Sequence, residues 1–217
     1  MNKVAIVVLM AFGWWAAPQA AHALIIINEV LADPPSIGGD ANQDGSIHSA
    51  QDEFVELVNT DLSEVSLADW SVSDTIGMRH TFASTSVIPG FGFFVVFGGG
   101  APQGFPHVAV ASSGTLSLNN SGDTITLRDA AGQVIEVFGY GPEGGMDVSL
   151  TRFPDGAGIF VKHSTASRAS FSPGTTVEGR SSLLQPHAPP SLPEPCTLVL
   201  LLSGLGGLPL WSRRHSC

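Results

Sequence analysis

The chain has 217 residues, 43% of them hydrophobic, with 19 acidic and 9 basic residues and a formal net charge of −10. That balance excludes a nucleic-acid-binding role, which needs a basic footprint. The 2 cysteines, Cys196 and Cys217, both sit near the C-terminus, which excludes a disulfide framework for the middle of the chain.

Residues 1–23 read as an export signal. Lys3 precedes an apolar core from Val4 to about Ala17, and Ala21-His22-Ala23 offers the small-x-small pattern of a signal-peptidase site. An uncleaved membrane helix is the alternative; the short run and Pro18 oppose it. The mature chain would begin near Leu24. One acid (Glu194) and three bases (Lys3, Arg213, Arg214) lie in the terminal segments, which leaves the middle of the chain near −12. Such a charge suits a solvated envelope protein or a cation binder.

The middle reads as strands. Leu24 to Leu31 is apolar and β-branched. Glu53 to Val58, Ser66 to Ser73, Asp123 to Arg128 and Gln133 to Val137 alternate, and Phe91 to Phe97 is a solid apolar run suited to a central strand. Ser149 to Phe153 and Gly158 to Lys162 complete the set. Turn residues separate them, as in Asn119-Asn120-Ser121-Gly122 and Pro154-Asp155-Gly156. Short strands with regular turns predict an all-β sandwich over residues 24–180. No amphipathic helix is expected between the termini. Glu56 falls among apolar neighbours and must reach an edge or find a partner. Trp70 is expected as a core plug on the Ala68-Trp70-Val72 face. Arg152 suits a structural ion pair or cap.

The order of these blocks resembles the lamin tail domain. Ile27-Asn28-Glu29-Val30, Glu53 to Asn59 and Leu67 to Asp74 are similar to its opening. Leu118 to Asp129 with Gly132 is similar to its later hairpin, and Ser149-Leu150-Thr151-Arg152 with Ser172-Pro173-Gly174 to its close. The resemblance implies an immunoglobulin-like β-sandwich serving as a binding or structural module.

Between the first two strands lies Asp40-Ala-Asn42-Gln-Asp44-Gly45-Ser46-Ile47, followed by Asp52 and Glu53. Oxygen side chains at alternate positions before a glycine form the first half of a calcium loop. Asp40, Asn42, Asp44 and Asp52 would be the side-chain ligands, Ser46 would give its carbonyl, and Ile47 would pack inward. Gln51 stands where an EF-hand has its bidentate glutamate, and no helix flanks the loop. The alternative is an acidic loop of Asx turns. Calcium is the one cofactor expected.

No catalytic residues are expected. Gly98-Gly99-Gly100 lacks a phosphate-binding partner, there is no Gly-x-Ser-x-Gly, and His48, His80, His107 and His163 show no metal spacing.

Residues 181–192 read as a Pro- and Ser-rich linker. Pro193-Glu194-Pro195, an apolar run over 196–211 and then Arg213 and Arg214 follow. The run has no polar face, so a transmembrane helix is predicted, short for the ~20 residues of a comfortable span, with the arginines on the cytoplasmic side. This order resembles the PEP-CTERM sorting signal of Gram-negative bacteria over residues 193–217. The resemblance implies an exosortase-type membrane protease as partner and transfer from the inner membrane to the cell surface or exopolysaccharide matrix. Cys196 departs from the small residue more usual after that motif. The expected function is a non-catalytic, exported, surface-sorted binding or structural module of the extracellular matrix. The alternative is a calcium-dependent carbohydrate-binding or hydrolase-accessory module. An aromatic surface beside the acidic loop would favour the carbohydrate binder, and a triad in a cleft the hydrolase.

Overall fold

A computed structural model describes residues 25–184. The expected signal peptide, the start at Leu24, linker residues 185–192, Pro193-Glu194-Pro195 and the span 196–211 lie outside the described residues. Among the described residues, no helix is long and apolar enough to cross a membrane.

The regular structure of the described chain is almost entirely strand, joined by long turns and loops. β1 (Ile25–Leu31), β2 (Phe54–Asn59), β7 (Phe93–Phe97), β8 (Val108–Val110), β11 (Leu150–Phe153) and β12 (Ile159–Lys162) form a six-stranded sheet in the order β12-β11-β1-β2-β7-β8. β4 (Ser71–Ser73), β5 (Met78–Thr81), β9 (Asp123–Arg128) and β10 (Val134–Tyr140) form a second sheet, β10-β9-β4-β5. β3 (Val65–Ser66) and β6 (Val87–Ile88) make a short ribbon. The helical parts are a 3-10 turn at Pro142–Gly144 and one turn of α-helix, α1 (His163–Ala166).

Every residue of β2 and β7 is buried, because both faces of the large sheet are covered. That is why their sequences run apolar without strict alternation. Val55, Leu57, Phe94 and Val96 meet Val72, Ile125, Leu127 and Phe138 of the second sheet. On the opposite face Leu31, Phe54, Val95 and Phe97 form a smaller cluster with Ala41, capped by the half-buried Phe105, Val108 and Phe171. Loops rather than a third sheet cover that face.

The strand expected from Ser66 to Ser73 is two strands. The chain turns between β3 and β4, with Asp69 at φ +62° and Trp70 N–H donating to Leu67 O at 2.9 Å. Leu67 is fully buried in the core, while Trp70 only packs against it half-buried. The turn takes Trp70 off the Ala68-Trp70-Val72 face, so Leu67 and Phe82 fill the core instead. β5, β6 and β8 carry too little apolar pattern to be legible in the sequence.

Arg152 stands in the ion pair its context suggested, with Glu136 of β10. The β1–β2 register shifts between Ile27 and Glu29. At that irregularity Ile27 N–H donates to Glu136 Oε2, and Arg152 Nε donates to Ile27 O at 2.9 Å. The guanidinium lies 4.5 Å from the Phe160 ring centroid, and Phe160 stacks on Phe138 at 3.7 Å. The pair therefore joins the two sheets where a backbone ladder is interrupted.

Both ends of the described chain lie at the same end of the sandwich. Ile25 is the Cα partner of Asn59, Asn59 N–H donates to Gly92 O at 3.0 Å, and Leu183 N–H donates to Phe91 O at 2.9 Å.

Candidate functional site

The acidic loop between β1 and β2 folds as a set of Asx turns. Asp40 Oδ1 and Asn42 Oδ1 both accept the Asp44 N–H, at 3.1 and 3.0 Å, so these two oxygens come together. Asp40 Oδ2 accepts from Gly45 and Asp44 Oδ1 from Ser46, each at 3.0 Å. Asp52 sits at the base, where its two oxygens accept the N–H groups of Asn42 at 3.0 Å and His48 at 2.7 Å. Ile47 does not pack inward: it is 47% exposed, and the buried positions belong to Ala41 and Asn42. Hydrogen bonds hold the loop and Ala41 anchors it in the core, so Ile47 is left to face solvent. Asp40, Asn42 and Asp44 offer part of the about six to eight oxygens calcium takes. Among the described residues no three His, Cys, Asp or Glu side chains gather closely enough to hold one metal ion.

This loop positions a second one. Asp44 Oδ2 accepts the Ala101 N–H at 3.1 Å, and Asn42 O accepts the Gln103 N–H at 2.9 Å. Gly100, just before Ala101, has φ +76°, and a Cβ there would collide with the Asn42 and Asp44 side chains. Residues 101–107 are thus carried at a fixed height over β7.

A buried polar network positions residues 172–175 on the same sheet face. Glu29 and Glu56 are Cα partners on β1 and β2, and both are fully buried. Glu29 accepts from the Ser149 hydroxyl at 2.6 Å, the Ser172 N–H at 2.9 Å and the Ser172 hydroxyl at 2.7 Å. Glu56 accepts from Asn28 Nδ2 at 2.9 Å and the Gly174 N–H at 2.6 Å. Asn28 also donates to Asp155 at 3.1 Å. Burial pushes the Glu56 carboxyl well above the usual range, and the neighbouring Glu29 adds to it. Burial raises Glu29 too, against the opposing pull of His163 and of the serine hydrogen bonds. Asp155 is raised by burial as well.

The network contains a serine, a histidine and an acid, in an order unlike that of a nucleophilic triad. His163 Nε2 lies 2.9 Å from Ser172 Oγ, and its Nδ1 lies 2.9 Å from Ala169 O. In a triad the base stands between nucleophile and acid. Here Ser172 stands between His163 and Glu29, and the histidine is fully buried. The arrangement fastens the chain after α1 to the sheet. Glu56 was the one member legible in the sequence; Glu29, His163 and Ser172 come from distant segments.

Between these two supports runs an open groove of about 360 Å³, lined by Gln43, Phe93, Phe105, Pro106, His107 and Pro173 among others. The Phe105 ring packs on Phe97 with centroids 5.1 Å apart, and its edge approaches Gly174. An aromatic wall therefore stands beside the acidic loop. Sequence reasoning missed this groove, since its walls meet only in the fold; the one local signal was the Phe105-Pro106-His107 run in a glycine-rich loop.

The profile of the Lamin Tail Domain family matches residues 18–142, more than half of the chain. No curated protein matches it.

Proposed function

The chain belongs to the lamin tail domain family, and on that premise we propose that it is a non-catalytic binding or structural module, exported and held in the surface matrix. The observation that carries this reading is the groove on the large sheet, whose two walls are each fixed by hydrogen bonds, one from the acidic loop and one from the Glu29 and Glu56 carboxylates. A wall ordered before binding spares a ligand the entropy of ordering it. In this reading Ala21-His22-Ala23 ends a cleaved signal and the mature chain starts near Leu24. Pro193-Glu194-Pro195, the run 196–211, and Arg213 with Arg214 form a sorting signal for an exosortase-type membrane protease of a Gram-negative bacterium. Both described ends leave the sandwich at one end, which suits a tethered module that presents its other surfaces outward.

Fractionation tests the reading. The wild-type chain is expected in the surface or matrix fraction. A variant with Pro193, Glu194 and Pro195 replaced by alanine is expected to insert but accumulate uncleaved in the inner membrane. If the triple variant reaches the matrix as efficiently as wild type, the tail is no sorting signal. If wild-type protein stays in the cytoplasm, the exported reading fails as a whole.

A second form of the reading adds calcium in the 40–52 loop. It is favoured by the convergence of Asp40 and Asn42 oxygens and by the hold of that loop on residues 101–103. Calcium would then stiffen one wall of the groove and make binding calcium-dependent.

A further inference from the structure

The groove continues past its own walls. A second depression of about 310 Å³, lined by Thr85, Ser86, Val87, Phe94 and Val108, shares Pro106 and His107 with it. In both linings His107 is the one ionisable side chain. Two other depressions differ: one carries Asp74 and Asp123, the other Asp155, Glu178 and Arg180. On a chain with a formal charge of −10, two adjoining hollows without a carboxylate or a strong cation form an uncharged strip.

We infer that this strip binds a neutral polysaccharide, with the polymer laid across Pro106 and His107 from the groove into the second depression. The inference rests on the binding-module reading above and names the class of ligand. A sugar ring has apolar C–H faces that pack on rings such as Phe105 and Pro106, and hydroxyl edges that need neutral donors and acceptors. Gln43, His107, Thr175 and Ser86 supply these along the strip. An acidic polymer meets the repulsion of the whole chain's charge. A cationic one finds no carboxylate in the strip to pair with. Two hollows in series suit a repeating ligand, because each can take one segment of the same chain.

The test is calorimetric titration of the full chain in detergent with cellohexaose, maltohexaose and mannohexaose. Hexagalacturonate serves as the anionic counterpart and a neutral proline-rich decapeptide as the peptide competitor. One of the neutral hexasaccharides is expected to bind, and hexagalacturonate to bind about tenfold more weakly or not at all. His107→Ala should weaken the neutral ligand about tenfold with an unchanged melting temperature. Phe105→Ala should do the same, but Phe105 supports the core beneath it, so His107→Ala decides. Three results overturn the inference: none of the three neutral sugars binds; hexagalacturonate or the peptide binds as tightly; or His107→Ala leaves affinity unchanged. Wild-type protein retained in the matrix without saccharide binding would overturn the strip and leave the surface-module reading standing. Wild-type protein that never leaves the cytoplasm would overturn that reading itself.

Discussion

Arg152 does the work of several backbone bonds at once. It pairs with the Glu136 carboxylate, donating to Oε1, donates to Ile27 O, and donates to Gly158 O at 2.7 Å. Its side chain is 19% exposed and that of Glu136 15%, so neither charge is screened as a surface pair would be. Arg152→Leu should therefore cost about 3 kcal/mol or more, since it leaves a largely buried carboxylate without its counter-charge and two carbonyls, of Ile27 and Gly158, without this donor. Adding Glu136→Leu should cost less than its single effect, because the pair is already broken. Denaturant midpoints of the two single variants and the double variant check this; strict additivity would show that the pair is not coupled. Arg152 was legible as a structural residue because a lone arginine within a short strand, beside Thr151 and Phe153, needs a partner. Its partner was not, since nothing local links residue 152 to residue 136.

The elements divide by how much their own sequence determines them. β7 was legible from its apolar run, β2 from the alternation over Glu53 to Val58, and β9 from Thr124-Ile125-Thr126-Leu127. β5 reads Met-Arg-His-Thr, and only pairing with β4 makes it a strand. The loops are harder still. Asp40 to Asp52 was legible as an acidic, glycine-bearing turn, but its grip on Ala101 and Gln103 is a tertiary fact. That grip makes the two loops one unit and gives the calcium form its test. Added calcium should raise the melting temperature by mass action on the native state, and Asp44→Ala should remove most of the rise. Asp44→Ala should also destabilise the calcium-free protein by about 0.5 kcal/mol for each of the two solvent-exposed hydrogen bonds it removes, from Ser46 and Ala101, whose N–H groups water can then satisfy. A melting curve indifferent to chelator would leave the loop as a hydrogen-bonded turn alone.

At the scale of the whole molecule, the buried carboxylates set a pH response. Glu29, Glu56 and Asp155 are raised by burial, and burial pushes Glu53 from 4.5 to about 7. A raised carboxyl holds its proton longer in the folded state than in the unfolded one. Stability is therefore lost as pH climbs from the ordinary carboxylate value through the raised one. His80 opposes this only at low pH: burial lowers it from 6.5 to about 4, a penalty full below about pH 4, fading as pH rises to 6.5 and absent above. Above pH 6.5 only the carboxylates slope, so the urea midpoint should fall from pH 6.5 to pH 8.5. A flat or rising midpoint would refute the buried-acid account. Glu53→Gln keeps an oxygen for the Leu118 N–H that Glu53 Oε2 accepts at 3.2 Å. Its stability relative to wild type should improve by about 2 kcal/mol between pH 5 and pH 8.

The close approach of the two described ends makes the sandwich a cassette. Ile25 and Leu183 both stand beside the contact between Asn59 and Gly92. A domain whose ends meet can be spliced into a surface turn of a host protein without prying that turn apart. For the same reason its ends can be joined and the chain reopened elsewhere. The exposed turn at Ala130 and Ala131, between β9 and β10, is the place to cut, because new termini there would leave every strand whole. Lineages that shuffle domains could carry this unit inside larger chains as readily as at their tips.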